Sequence, residues 1–278
     1  MRSASVPPAR AGFTLVELLV VISIVSLLIA LLAPALGGAR MEARRLKSVT
    51  NARSIASTFQ QVNDAAGHYP FRKAGTRPEG APPGAPAPPP GVLLVEWWPK
   101  GTIIGVSSHW AHEYLWPGML GAAATWQSHY ATWVSPGRST SLPESLPSAG
   151  VPGEDGEESP KIERVVSYRY SNSFVAKPAL WRQGTDLSAA LLAPIASHEV
   201  VYPSQKAMVY DAELAYLRKA PPVVNGHYQV ATPMAFADGH ADAKDPTEAN
   251  PGAANPLNGG STMNLHNTPE GVAGWDYR

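Results

Sequence analysis

From Phe13 to Leu36 the chain runs FTLVELLVVISIVSLLIALLAPAL, 24 residues with a single charged side chain, Glu17. A helix rises 1.5 Å per residue, so this run predicts about 36 Å of helix against a hydrocarbon core of about 30 Å. A secretory signal peptide has a shorter apolar region, roughly 7–15 residues, followed by a small-residue cleavage site. Here the run is longer, and the small residues at its far end (Ala33, Ala35, Gly37, Gly38) are interleaved with Pro34. The pattern predicts a transmembrane helix over 13–36, with a cleaved signal sequence as the competing reading.

Periodicity continues past Leu36. Leu46, Val49, Ala52, Ile55, Phe59, Val62 and Ala66 recur at spacings of three and four, while Arg45, Lys47, Arg53, Gln60 and Asn63 lie elsewhere on the wheel. That is an amphipathic stripe, which needs a surface to bury against. The reading is one helix from about Phe13 to Ala66, with residues 37–66 continuing the span and Gly67 as its stop. Pro34 and Gly37-Gly38 are expected to kink or locally melt it, because proline removes a hydrogen bond and glycine is a poor helix former. Two helices joined at Gly37-Gly38 are the alternative.

Downstream the pattern turns strand-like. Arg164–Val175, Glu199–Tyr202 and Ala207–Asp211 are rich in β-branched and aromatic residues. Pro233–Ala237 and His240–Ala243 flank Asp238-Gly239, a hairpin signal that points to a type I′ turn with positive φ at both central positions. One antiparallel sheet on the amphipathic half of the helix is predicted. Residues 74–92 form a proline-rich insertion, a plain linker or a ligand for a proline-binding partner. Residues 144–163 read as a solvated acidic loop, and Pro246–Arg278 as a tail wrapping loosely over the sheet.

Composition narrows the function. Lys plus Arg number 22 and Asp plus Glu 22, which excludes a globally basic nucleic-acid binder, so no nucleic-acid partner is expected. The balance hides an asymmetry. Arg2, Arg10, Arg40, Arg44, Arg45, Lys47 and Arg53 face only Glu17 and Glu42 within the first 53 residues. The cluster Arg40, Arg44, Arg45 and Lys47 suits anionic headgroups or a solvated helix face. With Cys at 0, disulfides, thiol catalysis and thiolate metal sites are excluded. Val95 to Trp133 is aromatic (Trp97, Trp98, Trp110, Tyr114, Trp116, Trp126, Tyr130, Trp133), which suits a core or, alternatively, a binding platform. His109 and His112 have a spacing seen among metal ligands but no third ligand nearby, so neither metal nor cofactor is expected.

Glu17 is the informative residue. An acid at the bilayer centre costs about 2.5–3.5 kcal/mol on insertion scales and usually has a partner, unless it sits at the membrane edge. The residues before it, Ala11-Gly12-Phe13-Thr14-Leu15-Val16-Glu17, resemble the processing signal of type IV prepilins and type II secretion pseudopilins. In that family a short basic leader ends in Gly, Phe follows, and Glu is the fifth residue after the cut. The resemblance implies a leader over 1–12, cleavage between Gly12 and Phe13 by a prepilin peptidase, and N-methylation of Phe13. Gly12 suits the extended backbone of a protease cleft. It also implies a pilin-like α+β fold, a long transmembrane and amphipathic helix packed on a small antiparallel sheet with large loops. A proline is common in that family where Pro34 stands. Glu17 would pair with the Phe13 ammonium of a neighbouring subunit, relieving both desolvation costs. Implied partners are other pilin or pseudopilin subunits, the inner-membrane assembly platform and the lipid bilayer. The resemblance places the leader in the cytoplasm and the head outside it, on the inner membrane and then in a filament. The positive-inside count points the other way.

A second resemblance lies near the carboxyl terminus. His227, ten residues and then Asp238-Gly239-His240 resemble the His, nine residues, Asp-Gly mark of many bacterial pilin-like proteins, one residue long. Ser167-Tyr168 and Pro203–Asp211 fit loosely. His227 and Asp238 are expected to hydrogen-bond across the hairpin and hold its register. Asp238, Asp242 and Asp245 are close together, yet the every-second-position spacing of a calcium loop is absent. No nucleophile–base pattern points to an anchored hydrolase, so the chain reads as a non-enzyme. The expected function is an assembly subunit of a pilus or secretion pseudopilus; the alternative is a membrane-tethered surface-binding protein with a Trp-rich domain that does not polymerise.

Overall fold

The computed structural model describes residues 14–73, 93–97, 102–106, 112–141, 165–182, 191–255 and 262–278, with backbone alone for 93–97 and 102–106. The leader, the proline-rich insertion and the acidic loop lie outside the described residues, as do Gly12, Phe13, Trp98, His109 and Trp110 and the side chain of Trp97.

Helix α1 is Leu15–Ala66, 52 residues. It stays helical through Pro34 and Gly37-Gly38, so the expected local melting does not occur. Ala66 is followed by Gly67 at φ +77°, whose N–H donates to Asn63 O at 2.7 Å and closes the helix. From Leu15 to Leu36 the large apolar side chains are exposed, which suits a lipid environment and no aqueous one. Residues Met1–Ala43 and Arg44–Arg278 form two compact units.

In the second unit the buried stripe of α1 is Ser48, Asn51, Ala52, Ile55, Ala56, Thr58, Phe59 and Asn63. This corrects the stripe read from the apolar residues: Leu46 is 56% exposed, while Ser48 is fully buried. Partners decide the rotation. Ser48 Oγ donates to Asp211 Oδ2 at 2.7 Å, and Asn63 Oδ1 accepts from Ser197 N at 3.1 Å. Polar side chains can turn inward because the domain supplies matching groups.

The main sheet has four antiparallel strands in the order β3-β4-β7-β8: β3 Tyr168–Tyr170, β4 Ala207–Asp211, β7 Thr232–Phe236 and β8 Ala241–Lys244. Tyr168 pairs with Asp211, Tyr210 with Met234, and Met234 with Asp242. A bulge between Ala207 and Val209 puts Met208 and Val209 in one cluster. Alternation sorts β7: Ala235 joins the cluster of α1, and Met234 and Phe236 join that of Leu265 and Tyr277. The small antiparallel sheet and long helix make the fold α+β, as expected.

Three local readings differ. Within 164–175 only Tyr168–Tyr170 is a strand, because Ser171 starts a tight helical turn over Asn172–Val175 and accepts a hydrogen bond from Ser173 N. Glu199–Tyr202 is not a strand; Glu199 accepts from Ala196 N at 3.0 Å and binds Lys177 Nζ at 2.7 Å, fixing a turn over Ser197–Glu199. At Asp238-Gly239 only Gly239 has positive φ, +87°, and Phe236 N bonds His240 O at 2.9 Å. The hairpin therefore has a three-residue loop with glycine in the left-handed position, the bulged alternative to type I′. Two further hairpins are present, β1 Leu93–Trp97 with β2 Thr102–Val106 and β5 Val223–Val224 with β6 His227–Tyr228.

Aromatic rings build the core. Short helices α2 (His112–Leu115) and α3 (Trp126–Trp133) bring Trp116, Trp126 and Trp133 inward, all buried. Phe59 of α1 sits edge-on to Trp116 at 5.3 Å and to Tyr170 at 4.9 Å, and Trp116 to Trp133 at 5.4 Å. Trp116 Nε1 donates to Tyr168 O at 2.9 Å, so its one polar atom is matched.

Candidate functional site

Thr14 and Glu17 sit at the start of α1, and their side chains answer each other. Glu17 N donates to Thr14 Oγ1 at 3.2 Å, while Glu17 Oε2 accepts from Thr14 N at 2.8 Å and from Thr14 Oγ1 at 2.7 Å. This is a capping box, which satisfies two amides that a helix start leaves without partners. The T-x-x-E spacing of Thr14 and Glu17 is the sequence signature of this cap. One of the two carboxylate oxygens is thereby held by the chain itself. Farther along, Ser23 Oγ donates to Leu19 O at 2.8 Å, so that hydroxyl is matched within the helix. An 18-residue window of α1 has mean hydropathy 3.0 and is 0% buried. That is one long apolar helix, consistent with a single-pass inner-membrane anchor.

The carboxyl-terminal residues are not brought together as expected. His227 lies on β6, and its Nε2 is 2.8 Å from Asn264 O; Asp238 lies in the β7–β8 turn and accepts from His240 N at 3.0 Å and His240 Nδ1 at 2.6 Å. No hydrogen bond joins them, because His227 lies on the β5–β6 hairpin and Asp238 in the turn of the four-stranded sheet, and each finds a nearer partner. His227 stacks on His266 at 6.0 Å, and Tyr210 OH is 2.5 Å from His266 Nε2. Burial holds both imidazoles below their ordinary pKa, His266 well below. Asp242 accepts from Ala243 N and Asp245 from Thr247 N, and no cluster of three or more metal-ligating side chains occurs among the described residues. His112 is buried, stacked on Phe71 at 5.1 Å with Nε2 3.1 Å from Arg72 O.

Two buried polar centres went unread in the sequence. Asp211, fully enclosed, accepts from Ser48 Oγ and Ser135 Oγ at 2.7 Å each and from the amides of Glu213 (3.1 Å) and Leu214 (3.0 Å). Burial raises its pKa against those bonds. It ties α1, the segment after α3 and β4 together. The second is Lys206 with Asp276, both 0% exposed and 3.0 Å apart. Around it Leu265, His266, Thr268, Val272 and Tyr277 are buried, so the described residues 262–278 of the tail are packed structure and no loose wrap. Its Asn, Gly and Thr residues carry no apolar periodicity, which is why pattern reading passed over it.

The chain matches the model of the prokaryotic N-terminal methylation motif over residues 8–33. No curated protein and no solved structure matches it. The match covers the leader end, the Gly12-Phe13 junction, Glu17 and most of the apolar run. It implies processing by a prepilin peptidase and association with other pilins, and it points to a structural subunit and away from an enzyme. The chain thus carries a prepilin-type methylation signal, the mark of a type IV pilin-like or pseudopilin precursor.

Proposed function

We propose that this chain is a structural subunit assembled into a type IV pilus or a type II secretion pseudopilus. A prepilin peptidase removes residues 1–12 by cutting between Gly12 and Phe13, and the new amino group of Phe13 is methylated. Residues 13–36 span the inner membrane with a bend at Pro34, 37–66 continue the helix, and 67–278 form a head outside the cytoplasm. The inner-membrane platform then raises the subunit into a filament, where Glu17 pairs with the Phe13 ammonium of a neighbour. Two desolvated charges that meet lose less than either would alone. His227, Asp238 and Gly239 have structural roles within the head.

The single observation behind this reading is the methylation motif over residues 8–33, set on an apolar helix whose one acid up to Leu36 is Glu17. The surface-binding alternative draws no support from Trp116, Trp126 and Trp133, whose rings are buried. Mass spectrometry of the amino-terminal peptide from the native host is the test, with N-methyl-Phe at position 13 expected. An intact Met1, or scission past Ala35, refutes it. Glu17→Ala is expected to leave cleavage intact and abolish incorporation into filaments; wild-type incorporation defeats the pairing.

A further inference from the structure

A cavity of about 180 Å³ opens between the β5–β6 hairpin and the main sheet. The hairpin forms one wall, with Val223 exposed at the mouth and His227 only 3% exposed inside. Asn225 and Gly226 turn the hairpin with φ of +49° and +80°, the two positive values of a type I′ turn, so this wall has a fixed geometry. Tyr210 and Asp211 of β4 and Thr232 of β7, all buried, line the other side. The polar atoms of these three are engaged elsewhere. Tyr210 OH meets His266 Nε2 at 2.5 Å, Thr232 Oγ1 donates to Val230 O at 3.0 Å, and the Asp211 carboxylate has its four donors. The imidazole differs. His227 Nε2 lies 2.8 Å from the carbonyl Asn264 O, so Nε2 carries the proton and Nδ1 is a bare lone pair. Burial lowers the pKa of His227, which keeps the ring neutral. Nδ1 has no partner among the described residues, yet it is not sealed in by packing, so it opens on the cavity.

We propose that this cavity binds a small neutral ring carrying one hydroxyl, a phenol, whose O–H donates to His227 Nδ1. Size sets the first limit. A cavity of about 150 Å³ holds benzene, so this one takes a single ring. Charge sets the second. Among the described residues no lysine or arginine lines the cavity, and its acid, Asp211, is already matched, so an ion entering would lose its water and gain no counter-ion. Polarity sets the third. Tyr228 and Pro246 add largely apolar surface, against which a sugar would leave most of its hydroxyls unmatched. A phenol has one polar atom to place and sets its ring against Tyr210, Tyr228 and Pro246. In return the buried nitrogen gains the hydrogen bond that it lacks. The same chemistry is carried by a free phenol and by the side chain of a tyrosine on another chain. The site lies wholly within the head and does not depend on processing or filament assembly.

Nitrogen NMR of the full chain in lipid nanodiscs, with ¹⁵N-labelled histidine and phenol as the probe, tests this. The His227 ring signals are assigned through bonds from its own backbone. Phenol is expected to move the Nδ1 signal saturably, with a Kd in the millimolar range that suits so small a ligand. Toluene, with the same shape and no donor, should leave that signal in place. Val223→Trp, a change at an exposed position that plugs the mouth, should weaken the phenol response at least about tenfold, the loss expected when a bound ring is excluded. N-acetyltyrosinamide separates the sources: a shift like that of phenol assigns the cavity to a tyrosine of another chain, and a shift with phenol alone assigns it to a free phenol. An Nδ1 signal that phenol does not move overturns the proposal. So does an equal shift with toluene, or a Val223→Trp chain that responds as wild type.

Discussion

Acidification should loosen the carboxyl-terminal half of the head. His227 and His266 are buried, and their pKa values lie below the ordinary 6.5. The groups facing them are Tyr210, Asn264, Lys206 and Glu113; Glu113 lies 3.7 Å from His266 Nε2 but is engaged by Arg169 at 3.3 Å. Because the folded values are depressed, the unfolded chain binds more protons below 6.5. Stability is intact above that pH and is lost as pH falls toward the folded values. For a histidine that stays neutral in the fold, moving from about pH 7.5 to about pH 5.5 costs about 1.4 kcal/mol, so the two together cost at most about 2.7 kcal/mol, the larger share from His266. In a unit of this size that is a fall of roughly 5–10 °C in Tm. Asp211 acts with the opposite sign, since its folded pKa is raised, and a His227→Gln/His266→Gln double variant isolates the histidine share. Thermal unfolding by circular dichroism at the two pH values is the assay. A wild-type Tm that stays level, or a double variant as acid-sensitive as wild type, refutes the reasoning.

Phe59→Ala should destabilise the head by about 3–5 kcal/mol, measured by denaturant unfolding, because the ring is fully buried between Trp116 and Tyr170. Asp211→Ala should cost about 3 kcal/mol or more, since it strands two buried hydroxyls and two amides; Ser48→Ala, which removes one of those partners, should cost less. Gly239→Ala should cost only about 1–2 kcal/mol in Tm-derived stability, because φ is +87° while nothing lies within 4 Å of the added carbon.

The sequence alone determined the long apolar helix, its continuation to Gly67 and the prepilin-type methylation motif over residues 8–33, because each is a local pattern. Apolar length, three-four periodicity and a short motif need no knowledge of what lies across the fold. The hairpin at Asp238-Gly239 was legible for the same reason, although its loop type was not, since loop length depends on which residues pair on either side. The β1–β2 hairpin was within reach too, because L-L-V-E-W and T-I-I-G-V flank a short Pro- and Gly-containing connection. What only the tertiary structure decided is where polar side chains turn inward. Ser48 takes the place on α1 that the apolar pattern assigned to Leu46 because Asp211 waits for it 163 residues away. Lys206 and Asp276 meet across a tail whose composition reads as loop, and His227 answers Asn264 instead of Asp238. Burying a polar group is tolerable only with a partner, and a partner distant in sequence leaves no periodic trace near either residue.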